Sequence, residues 1–259
     1  MGGDLVSLTE WILREVKANF KKPAQLWSTG KDSTLLLWLT RRLFGEVPWP
    51  VIHIDTGKHF KEVYEFRDRL ADEWNFELLV AKHPEADTIR PEVHGVEVCC
   101  HKLKTEALKA LMKEYGFDSL IVSIRRDEHG IRMKERYISP RDSEWRWKYE
   151  DQPVELIGWG LFFRDFEEAD HVRVHPLLHW TFMDVWEFTL RNNIPVNPLY
   201  LKGYTSIGCR PCTKPTLGRE FKSLEEYVAF LKSKRVEERA GRLIDKEKLM
   251  QRLRALGYW

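Results

Sequence analysis

Ser28-Thr29-Gly30-Lys31-Asp32-Ser33 is the stretch best suited to hold a phosphate. A short apolar run, Leu26-Trp27, ends in small polar residues, a glycine and a lysine, and Leu35-Leu36-Leu37-Trp38-Leu39 follows. That order reads as a strand, a tight turn and the start of a helix. Backbone N–H groups at such a turn point outward, and the helix dipole adds partial positive charge. Lys31 contributes a full charge, and Ser28 and Ser33 contribute hydroxyl donors. The stretch is not a Walker loop, which places a glycine where Gln25 stands and Ser or Thr where Asp32 stands. The same residues also suit an ordinary strand–helix turn carrying a surface lysine.

Three further groups carry chemistry. In His53-Ile54-Asp55-Thr56-Gly57, an aspartate at a strand end suits a nucleotide or Mg²⁺ contact, or a plain helix cap. Arg125, Arg126, Arg132, Lys134, Arg136 and Arg141 form a basic segment interleaved with acids. Arginine forks match phosphate and sulfate bidentately, whereas a salt-bridged surface loop is the plainer alternative. All four cysteines of the chain fall into two pairs, Cys99-Cys100 and the C-x-x-C of Cys209 and Cys212. A Cys₄ site for zinc or an iron–sulfur cluster is the direct reading. Buried thiols beside a redox C-x-x-C are the other.

The elements that must position these groups follow from hydrophobic pattern. Leu5, Leu8, Ile12 and Val16 predict a first helix. Strands are expected at 25–28, 51–54, 76–80, 119–122 and 172–174, and helices at 32–43, 58–74 and 102–115, the last stopped by Gly116. Alternation of this kind implies a parallel, twisted α/β sheet of about five strands with helices on both faces. Ligands of such sheets bind at the carboxyl ends of the strands, where Ser28, Asp55 and Ser123 would meet. From Arg125 to about Asp170 the pattern breaks, and a long irregular stretch in a compact domain is more often functional than not. Trp145 and Trp147 sit there among charges and suggest a stacking surface. Thr181 with Asp184 predicts a capped helix to about Asn192. From Ser223 the tail reads as helical and charged. The expected division is a nucleotide-binding α/β domain over 1–180 and a C-terminal segment over 181–259, mostly helical and irregular, carrying the second cysteine pair.

The chain has 259 residues, 43% hydrophobic, with a net charge of +2, enough to bury a full core and with no excess charge that demands nucleic acid. No secretory signal or membrane-spanning run is visible, so a cytoplasmic location is expected, where structural disulfides are rare.

These motifs together resemble the PP-loop, or adenine nucleotide alpha hydrolase-like, ATP pyrophosphatases, in their sulfonucleotide branch. Ser28–Ser33, His53–Gly57 with Tyr64-Glu65-Phe66-Arg67-Asp68, Lys104-Thr105-Glu106 and Arg125-Arg126-Asp127-Glu128 are similar to the small, catalytic subunit of bacterial heterodimeric ATP sulfurylase. Lys134-Glu135-Arg136, Arg141-Asp142, Glu238-Arg239-Ala240-Gly241-Arg242-Leu243-Ile244-Asp245 and Gly257-Tyr258 continue that likeness. Cys99-Cys100 with Lys104 and Leu108, and the segment from Asn197 to Thr213, instead resemble the iron–sulfur adenylyl-sulfate reductases.

The resemblance implies ATP-dependent adenylyl transfer with pyrophosphate release. Ser28, Thr29, Gly30, Lys31, Asp32 and Ser33 would bind the phosphates with Mg²⁺, and Asp55, Thr56 and Gly57 would flank the nucleotide. Lys31, Asp32, Arg125, Arg126 and Arg136 would act in catalysis, and Cys99, Cys100, Cys209 and Cys212 would hold a [4Fe–4S] cluster. Sulfate is the first acceptor and nucleic-acid phosphate the second, as in the cluster-bearing ATP pyrophosphatases of sulfur transfer and DNA phosphorothioation. A reductase of the family attacks with a tail cysteine, and none follows Cys212. ATP sulfurylase subunits ordinarily lack the cluster cysteines. Sulfonucleotide reduction with an external thiol and a non-catalytic nucleotide-binding subunit are the remaining alternatives. A GTPase subunit or a cysteine desulfurase is the implied protein partner, and a homodimer is also open.

Overall fold

The computed structural model describes residues 2–128, 130–147 and 169–243. Helix α1 (Gly2–Asn19) leads into strand β1 (Pro23–Leu26), α2 (Lys31–Phe44), β2 (Val51–Asp55), α3 (Lys61–Trp74) and β3 (Leu78–Lys82). A short turn of helix, α4 (Pro91–His94), precedes α5 (Val96–Cys100). The chain then runs through a π-helical stretch at His101–Glu106 into α6 (Ala107–Tyr115). Strands β4 (Ser119–Ile121), β5 (Ile138–Arg141) and β6 (His171–Val174), then α7 (Phe182–Arg191) and α8 (Leu224–Ser233), complete it.

The strands form one sheet in the order β3-β2-β1-β4-β6-β5. β1 pairs in parallel with both β2 and β4, so successive strands build outward in opposite directions from it. That reversal opens a crevice at the carboxyl ends of β1 and β4, the place where sheets of this kind bind ligands. The apolar strand residues explain the order. Ala24, Ile52, Leu120, Ile121 and Val174 join Leu35, Leu36 and Leu39 of α2 in one core, and Trp27, Leu37, Val51 and Phe66 form a second on the other face.

The sheet has one strand more than expected. β5 lies inside the segment read as irregular and runs antiparallel to β6, at the sheet edge. Its sequence, Ile138-Ser139-Pro140-Arg141, hides the strand because Pro140 withholds a ladder donor and Ser139 and Arg141 read as polar. An edge position tolerates that proline, and all four residues are buried all the same.

Two other expectations change. Trp145 is not a stacking surface: it is buried, 4.3 Å between ring centroids from His171, with Lys109 and Arg173 over its ring. The tail helix stops at Ser233, and Lys234 turns extended. In the residues that follow, Glu238, Arg239 and Arg242 are half-buried and reach the cavity, while Lys234, Arg235, Glu237, Ala240 and Leu243 are exposed. The matched residues Ile244-Asp245 and Gly257-Tyr258 lie outside the described residues. The capping box of Thr181 and Asp184 is present at α7 as expected.

Candidate active site

The site is built outward from the turn after β1. α2 starts at Lys31, with Gly30 as its N-cap and no side chain capping it. Its leading N–H groups are therefore free to face a ligand or a distant acceptor. Ser28 Oγ and Ser33 Oγ lie 3.1 Å apart, and Ser33 Oγ donates to the Gly30 carbonyl at 3.1 Å, which ties the turn to the first helical turn. Thr29 holds a left-handed backbone, φ 62°, and its buried hydroxyl has no hydrogen-bond partner. A β-branched residue in that region is strained, and such strain collects at functional turns.

The turn floors a cavity of about 160 Å³. Its walls come from the carboxyl ends of β1, β2 and β4, including Trp27, His53, Ser123 and Ile124, and from Tyr200, Ser206 and Gly208 of the later chain. Its charged lining is Lys31, Asp32, Lys104, Glu128, Arg132, Glu238, Arg239 and Arg242. Lys31 Nζ bonds Asp32 Oδ2 at 2.8 Å and contacts Glu238 Oε1. Arg125, fully buried behind the lining, spends its fork on Asp32, on Glu238 Oε2 at 2.5 Å and on Asp127 at 2.9 Å. Burial works against its charge, but those carboxylates hold it protonated well above the ordinary range. A second carboxylate, Glu128, sits between Arg132 and Arg239, whose charges hold its pKa well below the usual range against the cost of burial. Burial pushes the Glu238 carboxyl up, with Lys31 and Arg125 pulling it the other way.

Tyr200 closes the floor. Its hydroxyl accepts the Lys31 backbone N–H at 2.9 Å, and its ring stands edge-on to Trp186 at 4.8 Å. Tight backbone contacts hold the strap of residues 234–243 in place. Lys214 N donates to the Gly241 carbonyl at 3.0 Å, and a Cβ on Gly241 would lie 2.2 Å from the Lys214 carbonyl oxygen. A Cβ on Gly208 would lie 2.4 Å from the Arg242 guanidinium carbon, so only glycine lets that arginine reach Ser206 Oγ at 3.1 Å.

The expected residues are brought together unevenly. Ser28, Gly30, Lys31, Asp32 and Ser33 line the cavity, and Arg125 reaches it through its partners. Arg126 turns away to donate to the Glu135 carbonyl at 3.0 Å and to contact His179. Arg136 offers its carbonyl to His175 Nδ1 at 2.7 Å and is not among the lining residues. Asp55 is held by Gly57 N at 2.7 Å and by the Tyr64 hydroxyl at 2.8 Å, and it caps no helix. Thr56 faces the thiols instead of the nucleotide cavity, and Gly57 adopts the left-handed turn, φ 69°, between them.

Cys99, Cys100, Cys209 and Cys212 are all buried free thiols that line one second, smaller cavity, with Thr56, Lys58, Lys104 and Arg242 around it. Thr56 Oγ1 lies 3.2 Å from Cys209 Sγ. Burial raises the Cys99 thiol to about 12 and the Cys212 thiol to about 11. Among the described residues, no three His, Cys, Asp or Glu side chains are grouped to hold a single metal ion. Lys104 and Arg242 line both cavities, so the thiols and the anion-lined cavity share a wall of positive charge.

Comparison with known proteins agrees with this fold. Residues 22–215 match the phosphoadenosine phosphosulfate reductase domain family. The chain belongs to that family, within the PP-loop superfamily. It is 38% identical over 253 residues to "Sulfate adenylyltransferase subunit 2" of Zymomonas mobilis, covering 96% of this chain and 78% of the relative. The subunit of the same name from Shigella dysenteriae is 39% identical over 252 residues, with the same coverage, 96% and 78%. Among solved structures, phosphoadenylyl-sulfate reductase of Candida auris in a phosphate complex aligns with a TM-score of 0.58 at 20% identity, over 80% of this chain and 90% of that one. Candida glabrata FMN adenylyltransferase in complex with ATP aligns at 0.63 and 20% identity, over 98% and 80%. At that identity the structural likeness is one of fold. Membership in this PP-loop family makes the chain an enzyme of nucleotidyl-transfer chemistry. No helix among the described residues is long and apolar enough to cross a membrane.

Proposed function

We propose that this chain transfers the adenylyl group of ATP to sulfate and releases pyrophosphate, as the catalytic subunit of a sulfate adenylyltransferase. The observation that carries the reading is the single cavity in which the Ser28–Ser33 turn and four cationic side chains, Lys104, Arg132, Arg239 and Arg242, face one another. A sulfate oxygen attacks the α-phosphorus, a new P–O bond forms, and the bond to the bridging oxygen of pyrophosphate breaks. Such a transfer is catalysed mostly by positioning and by stabilising charge. Ser28, Gly30, Lys31 and Ser33 seat the leaving phosphates. The arginines of the opposite wall hold the attacking anion against its own repulsion from the nucleotide. Asp32 orients Lys31 and Arg125. Mg²⁺, when bound with ATP, would neutralise the phosphates beside Asp32.

Cys99, Cys100, Cys209 and Cys212 would hold a [4Fe–4S] cluster. The donor set fits: four buried thiols line one space, and Lys58, Lys104 and Arg242 offset thiolate charge. The cluster would supply a fixed charge and a tie between the segments bearing Cys99-Cys100 and Cys209–Cys212. The relatives' designation as a subunit supports a protein partner, which we read as a GTPase.

Pyrophosphate release from ATP is the test. Release that depends on sulfate, and that falls at least a hundredfold in Lys31→Ala, is expected. Release indifferent to sulfate favours the second reading, an ATP pyrophosphatase acting on nucleic-acid phosphate, to which the cysteine quartet lends support. Release unchanged by Lys31→Ala overturns the site assignment.

A further inference from the structure

The cations expected to greet a ligand phosphate are already engaged, and one residue engages two of them. Glu238 lies 207 residues from Lys31 in sequence, yet its two carboxylate oxygens are divided between Lys31 Nζ and Arg125 Nη2. It is an oxyanion bridging the PP-loop lysine and the buried arginine, where a phosphate oxygen would be bridged by the same pair. Lys31 N–H is likewise taken by Tyr200, and Ser28 and Ser33 bond each other. The neighbour on the strap, Arg239, pairs with Glu128 on the opposite wall. With Glu238 in place, Lys31, Arg125, Arg132 and Arg239 face Asp32, Asp127, Glu128 and Glu238, four cations against four carboxylates. Those eight groups balance one another, while Lys104 and Arg242 leave the cavity lining with an excess of positive charge. The Lys31–Arg125 seat itself is filled by a carboxylate, and it opens to a phosphate when Glu238 leaves.

We propose that Glu238 is an internal stand-in for a ligand phosphate, and that nucleotide enters the Lys31–Arg125 seat by displacing it and loosening residues 234–238 of the strap. This rests on the reading of the cavity as a nucleotide site. A strap that closes most of the molecules lowers the apparent affinity by the fraction left open. It also suppresses loose binding of any anion too weak to evict a carboxylate held by two cations. The strap's other contacts, Lys214 N to the Gly241 carbonyl and Arg242 to Ser206, serve as its anchor.

The experiment uses the whole chain and two probes, ATP and inorganic pyrophosphate, titrated calorimetrically into wild type and Glu238→Gln. Glu238→Gln keeps the shape and removes the charge, and it is expected to bind both probes about tenfold more tightly. Because the substitution leaves buried cations short of a partner and lowers stability, a second readout uses unaltered protein. Tryptic cleavage after Lys234 and Arg235 is expected to accelerate when ATP is added to wild type, and to be fast without ATP in Glu238→Gln. Wild type that binds ATP while Glu238→Gln binds it equally or more weakly overturns the inference and leaves the nucleotide site standing. ATP that protects Lys234 and Arg235 in wild type overturns it too. ATP bound by neither protein overturns the nucleotide reading together with the inference.

Discussion

Removing one oxygen, by Tyr200→Phe, tests how the phosphate seat is held in shape. Lys31 N–H lies in the first turn of α2, where no helical carbonyl can accept it. The Tyr200 hydroxyl, 2.9 Å away, is its acceptor. The ring is 2% exposed and packed edge-on to Trp186, so phenylalanine keeps the ring in its cage and deletes only the acceptor. A buried N–H left without a partner costs about 1–3 kcal/mol, and with packing preserved the lower part of that range applies, about 1–2 kcal/mol. For a chain of 259 residues this is a loss of roughly 2–8 °C in Tm. Calorimetric melting of wild type and variant, each with and without saturating ATP, measures it. In the proposed site a ligand phosphate offers Lys31 N–H a new acceptor, so the deficit should shrink when ATP is bound. A variant that melts with wild type in the absence of ligand refutes the claim that Tyr200 supports the turn. A deficit that grows on adding ATP refutes the division of labour and makes the hydroxyl itself a ligand contact.

Three further outcomes follow from the same structure. Thr29→Gly relieves a left-handed β-branched residue and discards an unpartnered hydroxyl, so it should stabilise the fold by about 1 kcal/mol; a lower melting temperature would show that the hydroxyl is satisfied. Burial holds His53 at about 3 and His171 and His175 at about 4, all below the ordinary histidine value, so the fold keeps them neutral where the unfolded chain takes up protons. Stability is therefore intact above about pH 6.5 and falls as the pH drops toward 4, by up to about 1.4 kcal/mol per histidine per pH unit, and urea midpoints that stay flat from pH 7 to 4.5 would contradict it. Cys209→Ser should abolish iron and the absorbance shoulder near about 400 nm in anaerobically purified protein, whereas a preparation holding zinc and no iron would refute the cluster.

Local pattern carried most of the sheet. β2, Val51–Asp55, announces itself by β-branched residues that sit in both cores, and α7 by its capping box. β5 stayed hidden because, beyond Ile138 in the core, its buried residues include the polar Ser139 and Arg141. Arg141 is sheltered by Glu135 at 3.3 Å and Ser139 bonds the same carboxylate at 3.0 Å, so polar partners, distant from any periodic signal, make those residues interior. The end of α8 was equally illegible. The residues after Ser233 are charged enough to pass for a solvated helix, and only the cavity's opposing charges explain why they fold back.

The same physics divides the site. Ser28–Ser33 was legible because a strand, a turn and a helix start are contiguous, and their chemistry can be read from neighbours. Arg125 was legible as a basic residue at a strand tip, but composition alone does not separate it from Arg126, which bonds a carbonyl of its own loop, or from Arg136, whose backbone carbonyl meets His175. Tyr200, Glu238, Arg239 and Arg242 meet the Lys31 region across more than a hundred and fifty residues, so no spacing rule could bring them there. The available signal was Gly241 among charges: a glycine at which a Cβ would lie 2.2 Å from the Lys214 carbonyl oxygen marks a segment packed down on the fold, not a free helix. A segment packed down with Glu238, Arg239 and Arg242 must bury those charges against opposite ones. The opposite charges are those of the cavity, and so the strap is part of the site it covers.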